Sequence, residues 1–199
     1  MHKVEVSLKS HLPDARGQGL VKDIADLGVS TVSDVRVIDI YWLDADLTSA
    51  ELELICRGLL DDSVTQDYSS DSNLSVVEKL GFDRHVVEVA YNPGVADPVE
   101  ASILKAIRDL GISGVRAVKT AKKYLIKGEL SRQQLDIICN RLLINPVIQH
   151  VARGEAVAFP GKPQYEFRLE TVDMMSLPAV LKQRFGFTDD EAKTIIAYF

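Results

Sequence analysis

Val4–Gly28 reads VEVSLKSHLPDARGQGLVKDIADLG, and Val87–Gly111 reads VEVAYNPGVADPVEASILKAIRDLG. These are two versions of one pattern. Laid over each other, Val4–Tyr68 and Val87–Val151 align without a gap, and 21 of the 65 positions are identical. Two copies of that length are too few and too long for a solenoid. They read as a duplicated small domain.

Each copy opens on alternating residues. Val4, Val6 and Leu8, or Val87, Val89 and Tyr91, predict a half-buried strand with Glu5, Ser7 and Lys9 on the wet side. Asp14 and Asp97 stand in register at the start of a helix, where a carboxylate accepts free N–H groups. Leu20, Ile24 and Leu27, or Ile103, Ile107 and Leu110, keep helical spacing until Gly28 and Gly111, expected left-handed C-caps. A long extended segment follows over 32–47 and 115–130, either one bent strand or a tight hairpin. Tyr41, Leu43, Ala45 and Leu47 share one face, as do Tyr124, Ile126, Gly128 and Leu130, while Trp42 and Leu125 lie on the other. An extended segment apolar on both sides points to a sheet shielded by the second copy.

Thr48 with Glu51, and Ser131 with Gln134, form capping boxes. The helices after them carry Leu52, Ile55, Cys56, Leu59 and Leu60, or Leu135, Ile138, Cys139, Leu142 and Leu143, and should bury both cysteines. Val64, Gln66 and Tyr68, or Val147, Gln149 and Val151, predict a closing strand. The fold class is therefore α+β. It has two tandem strand–helix–strand–helix–strand repeats, antiparallel sheets with helices on one face, packed as a pseudo-twofold dimer. The expected division is repeat one over 1–70, a linker over 71–85 with a short helix at Leu74–Leu80, repeat two over 86–153, and a tail over 154–199. The tail would hold an extra strand at Gln164–Val172, a helix at Leu177–Phe185, and a last helix capped by Thr188 and Glu191.

Composition narrows the function. The 199 residues are 46% hydrophobic and 26% charged, an ordinary globular balance. No run of about 18 apolar residues occurs and Met1–Lys9 has no signal-peptide pattern, so no membrane span is expected and the expected location is cytoplasmic. A net charge of −6 argues against nucleic acid as a partner. That charge is unevenly divided. Residues 1–83 hold 7 basic and 16 acidic side chains, net −9, and residues 84–153 hold 11 and 6, net +5. Matched positions change sign, Asp39 against Lys122 and Asp44 against Lys127. Either this is drift on solvated surface, or the two faces meet each other or different partners.

Catalytic patterns are missing. His2, His11, His85 and His150 share no metal spacing, and no phosphate loop, dinucleotide motif or nucleophile elbow occurs. Lys119, Lys122, Lys123 and Lys127 form the only basic run, which reads as one charged face of a strand. No catalytic, cofactor-binding or metal residue is expected in this chain.

The loop Asn92-Pro93-Gly94-Val95-Ala96-Asp97-Pro98 and the ending Asn145-Pro146-Val147-Ile148 resemble the small S subunit of phosphoribosylformylglycinamidine synthase. That family shows a K-P-G-V-x-D-P-x-G loop, a V-R-x-G-K stretch and an N-P-V-I-E ending. Here Glu100 replaces the last loop glycine, and Ala121-Lys122 stands for Gly-Lys. Repeat one keeps Asp14-Ala15-Arg16-Gly17 and Asp34-Val35-Arg36-Val37, with Asp62-Ser63-Val64-Thr65 as its ending. Residues 185–199 resemble the linker helix that opens the large synthetase chain. The resemblance implies a non-catalytic N-terminal assembly module that bridges glutaminase and synthetase in purine biosynthesis. ATP, magnesium and substrate would belong to a synthetase domain beyond Phe199. The partners would be the synthetase and glutaminase parts, with further self-association open. The candidate contact residues are Asn92, Pro93, Gly94, Asp97, Lys122, Asn145 and Pro146. A tandem amino-acid-binding sensor, with its ligand at the repeat interface, is the alternative reading.

Overall fold

The computed structural model describes residues 1–70, 85–152, 176–185 and 187–198. Two compact units, Met1–Gly161 and Lys162–Phe199, are separable. The first holds β1 (His2–Leu8), α1 (Ala15–Asp26), β2 (Val32–Ala45), α2 (Ser49–Ile55) and β3 (Gln66–Ser70), then β4 (His85–Tyr91), α3 (Glu100–Asp109), β5 (Val115–Gly128), α4 (Arg132–Ile138) and β6 (Gln149–Ala152). The second holds α5 (Leu177–Phe185) and α6 (Asp189–Tyr198). The proposed helix at Leu74–Leu80 and strand at Gln164–Val172 lie outside the described residues.

The long extended segments are single strands of 14 residues, not hairpins. Each reaches past its own copy's first strand, and β2 and β5 pair with each other. One antiparallel six-stranded sheet results, in the order β3-β1-β2-β5-β4-β6. The separate sheets of the sequence reading are thus joined edge to edge, and neither 14-residue edge is left open. Asp39 lies opposite Lys122, its own counterpart in the second copy, while Ile38 faces Lys123 and Ile40 faces Ala121. The pseudo-twofold axis therefore passes through the Asp39–Lys122 pair.

The helices interlock the copies. Ile24 of α1 shares a core cluster with Val35 and Val37 of its own copy and with Val87, Val89, Ile126, Ile138 and Leu143 of the other. Ile55 and Leu60 share a second cluster with Val4, Val6 and Leu43, and with Ile107 and Val118 of repeat two. A helix from each copy contributes to each cluster, so neither core is complete within one repeat.

Local signals hold. Gly28 and Gly111 have φ of +85° and +82°, the left-handed region that favours glycine, and end α1 and α3. Both capping boxes close, with Thr48 N donating to Glu51 Oε2 at 2.8 Å and Ser131 N donating to Gln134 Oε1 at 2.9 Å. A third closes α6, where Thr188 N donates to Glu191 Oε2 at 2.9 Å. After α2 and α4 the chain winds into π-helical turns at Cys56–Leu60 and Cys139–Leu143, sealed by Asp61 N donating to Cys56 O and Ile144 N donating to Cys139 O. Both cysteines are buried, and burial, helped by Asp61, pushes the Cys56 thiol up to about 12.

Three expectations need correction. The side of β1 that carries Glu5 and Ser7 is not wet: Glu5 is 5% exposed, and Ile38, Ile40 and Leu125 on the same sheet face are fully buried. Nor do Lys122 and Lys123 share a charged face, because successive strand residues point to opposite sides. Lys123 is buried against Glu5, which also lies 3.3 Å from Lys3. Burial alone would push the Glu5 carboxyl up; the two lysines outweigh it and hold the group below its ordinary value. β3 and β6 begin two residues later than expected, leaving Val64 and Val147 in turns.

The charge asymmetry now has a partial explanation. Asp39 pairs with Lys122 at 2.9 Å, Asp44 and Asp46 pair with Arg116 at 2.6 and 2.7 Å, and Glu5 pairs with Lys123. In each of these pairs the acid belongs to repeat one and the base to repeat two, whereas Lys3 and Glu88, 3.1 Å apart, pair in the opposite sense. Exposed pairs are worth only about 0–1 kcal/mol each, but they select the unlike copy as partner.

Candidate functional site

Five of the seven candidate residues meet at one corner. Asn92 N donates to Ile148 O at 2.9 Å, and Asn92 Nδ2 to Val147 O at 3.3 Å. His150 Nδ1 lies 3.1 Å from Asn92 Oδ1. These bonds tie the Asn92-Pro93-Gly94 turn to the Asn145-Pro146-Val147 turn. Gly94 has φ of +85°, which accounts for a glycine there. Asn145 folds its own turn: Oδ1 accepts from Val147 N at 3.1 Å, and its backbone N donates to Gln149 Oε1 at 3.0 Å. Repeat one builds the same turn with Asp62, whose Oδ1 accepts from Val64 N at 3.0 Å and whose N donates to Gln66 Oε1 at 2.9 Å. The altered letters at 62–65 therefore hide a preserved shape. Its tips, Val64 and Val147, are 77% and 80% exposed.

Asp97 and Lys122 lie elsewhere. Asp97 is buried. Its Oδ2 accepts from Thr120 N at 2.6 Å and Thr120 Oγ1 at 2.8 Å, and its Oδ1 accepts from Val99 N at 3.0 Å. Asp14 does the equivalent work, accepting from Gly17 N at 3.0 Å and Val37 N at 2.8 Å. Val37 and Thr120 are where the long strands outrun β1 and β4, so no strand meets those N–H groups. A carboxylate replaces the missing strand in each copy. The sequence showed the aspartates in register; their bonds to the strand on the far side of the helix carry no local signature. Lys122 sits on the axis. Asp39, which it bonds, also receives Arg16 Nη1 at 2.8 Å. Arg16 and the tyrosines around this pair were not among the candidates.

The family described as "PurS: Phosphoribosylformylglycinamidine (FGAM) synthase" matches the chain twice, over residues 1–73 and 84–153. The chain belongs to the PurS family. A curated relative, phosphoribosylformylglycinamidine synthase subunit PurS of Archaeoglobus fulgidus, is 38% identical over 68 residues, which is 32% of this chain and 85% of the relative. One relative is thus about the length of one repeat, and this PurS-family chain carries two in tandem. No helix among the described residues is long and apolar enough to cross a membrane, and none of their His, Cys, Asp or Glu side chains cluster as a metal site.

In this PurS pair, Asp97→Ala removes three hydrogen bonds to a buried carboxylate and strands the Thr120 N–H. Bonds to charged groups are each worth about 1.5–3 kcal/mol. A loss of about 3 kcal/mol or more is expected, which lowers Tm by roughly 6–12 °C for a chain of this size. Thermal unfolding checks it; a shift below about 2 °C would leave Asp97 without the strut role.

Proposed function

We propose that this chain is a non-catalytic assembly module of phosphoribosylformylglycinamidine synthase, a ligase of purine biosynthesis. On this reading it works in the cytoplasm and bridges the glutaminase and ATP-dependent synthetase parts of the enzyme. The observation that carries it is the closure of two PurS copies on each other through β2 and β5, a dimer-like body in one chain. The curated relative is named a subunit of that synthase, which gives the module an enzyme to belong to. ATP, magnesium and substrate are assigned to the synthetase part.

The proposed contact surface is the corner of Asn92, Pro93, Gly94, Asn145 and Pro146, with Val147 at its tip. Its turns are held by side chain-to-backbone bonds, so docking costs little ordering entropy, and Val147 offers apolar area without unfolding anything.

Calorimetry and sedimentation of the chain with separately prepared glutaminase and synthetase parts provide the test. A saturable complex is expected, with glutamine-dependent product formation rising when the chain is added. Val147→Asp should weaken the complex at least about tenfold, the loss of one well-placed apolar contact, while leaving Tm unchanged. Binding to neither part, or product formation by the chain alone, would end the assembly reading. Saturable binding of glutamine to the chain alone would favour the sensor reading instead.

A further inference from the structure

We infer that a cavity beside the pseudo-twofold axis, built among the described residues on the repeat-two side, is a binding site for a small organic anion. The cavity measures about 240 Å³ and is lined in part by Tyr41, Val89, Tyr91, Val99, Lys122 and Tyr124. The inference stands on the geometry of this cavity and does not depend on the assembly reading.

Its asymmetry is the first argument. Tyr41 and Tyr124 are counterparts in the two copies, as are Asp39 and Lys122. A symmetric pair would have two such cavities flanking the axis. In the repeat-one half, Arg16 stands where Val99 stands in repeat two. Its guanidinium donates to Asp39 Oδ1 and Oδ2 at 3.1 and 2.8 Å and to Val37 O at 3.2 Å. Val37 and Asp39 are the counterparts of Thr120 and Lys122, both of which line the open cavity. Arg16 therefore occupies the equivalent space, and the short Val99 leaves the other half empty. Leu8, the counterpart of Tyr91, also lacks the phenol that the open half has gained.

The chemistry of the lining is the second argument. Asp39 carries two cations, Arg16 at 2.8 Å and Lys122 at 2.9 Å, so the group has one positive charge in excess. Lys122 is half exposed and keeps N–H donors for a ligand. The hydroxyls of Tyr41, Tyr91 and Tyr124 make no hydrogen bond with the described residues. Burial and the Asp39 charge push the Tyr41 and Tyr124 phenols above their ordinary values, so both remain protonated donors. Gln149, also in the lining, spends its Oε1 on Asn145 N, which leaves its amide N–H groups as further donors. Unspent donors and a surplus cation select an anion. Val89, Val99 and Pro98 supply an apolar wall for its body. Pockets for drug-sized ligands run to roughly 300–1,000 Å³; this one is smaller and suits a molecule the size of an aromatic carboxylate.

The test uses the full chain with benzoate as probe, benzyl alcohol as its neutral analogue and inorganic phosphate as a bare anion, followed by calorimetry and by NMR of the tyrosine rings. Benzoate is expected to saturate at one per chain with a Kd of about 1 mM or tighter, shifting the tyrosine resonances. Benzyl alcohol and phosphate should each bind at least about tenfold more weakly. Val99→Arg rebuilds the plug of repeat one and should abolish binding with Tm retained. Lys122→Gln, a second variant that leaves the cavity open, should weaken binding at least about tenfold. No saturation with benzoate, equal affinity for benzyl alcohol or phosphate, or undiminished binding in either folded variant would overturn the inference.

Discussion

Replacing Gly17 with alanine is expected to cost about 3 kcal/mol or more of folding stability, at the upper end of what overpacking usually costs. A Cβ at Gly17 would lie 1.7 Å from Val35 O and 2.7 Å from Val35 C. Those are backbone atoms of the central strand, so no side chain can rotate away, and either α1 must lift or β2 must bend. Either movement strains the Asp14 bonds to Gly17 N and Val37 N. Gly19, two residues on in the same helix, is the control. A Cβ there meets nothing within 4 Å, so Gly19→Ala should stabilise by up to about 1 kcal/mol through helix propensity alone. Denaturant unfolding of both variants should move their midpoints in opposite directions. A Gly17→Ala chain as stable as the parent would show that α1 does not press on β2 as described.

Repeat two tells the other half of that story. The counterpart of Gly17 is Glu100, whose side chain could not occupy the same approach. There the helix begins at Glu100, whereas α1 begins at Ala15, the counterpart of Pro98. Asp97 accordingly bonds Val99 N, two residues on, where Asp14 bonds the N–H three residues on. The later helix start leaves Pro98 and Val99 beside the open cavity. One glycine retained in one copy and lost in the other thus accounts for a difference in shape next to the axis.

The duplication, the order of elements, the capping boxes, the C-cap glycines and the buried cysteines were all legible, because each rests on residues a few positions apart. Partnerships across the chain were not. Glu5 reads as the wet side of an alternating strand, and only Lys123, far along the chain in the other copy, shows why it is buried. The π-helical turns open on Cys56 and Cys139 with ordinary helical dihedrals, and no residue pattern announces them. The two-sided apolar character of 32–47 and 115–130 did point to shielding by the other copy. It could not distinguish faces stacked together from edges joined. At the candidate site, the family resemblance of their loop and ending brought Asn92 and Asn145 into view, while Arg16 was missed because its meaning lies in the contrast with Val99.

Producing the two copies as separate chains, cut between Ser70 and His85, should abolish cooperative folding of each piece alone and restore it on mixing. Thirteen paired positions join β2 to β5, and each core cluster draws on both copies. A lone copy therefore leaves the edge of its long strand and part of its core exposed, at a size where one domain is already marginal. Self-pairing is the competing outcome, and charge opposes it. Two copies of repeat one would place Asp39 against Asp39. They would also face Glu5 with Ile40, the counterpart of Lys123, leaving a buried carboxylate without its closest cation and with Lys3 of its own repeat as its remaining lysine. Breaking such a pair costs about 3–5 kcal/mol, a factor of a hundred or more in affinity. Two copies of repeat two would place Lys122 against Lys122. The mixed pair keeps Glu5–Lys123, Asp39–Lys122 and Arg116 with Asp44 and Asp46. Analytical ultracentrifugation of the pieces, singly and mixed, should show a 1:1 heterodimer whose unfolding transition resembles that of the intact chain. If repeat one alone formed a stable homodimer of equal affinity, the pairs on and beside the axis would not be what makes the copies select each other.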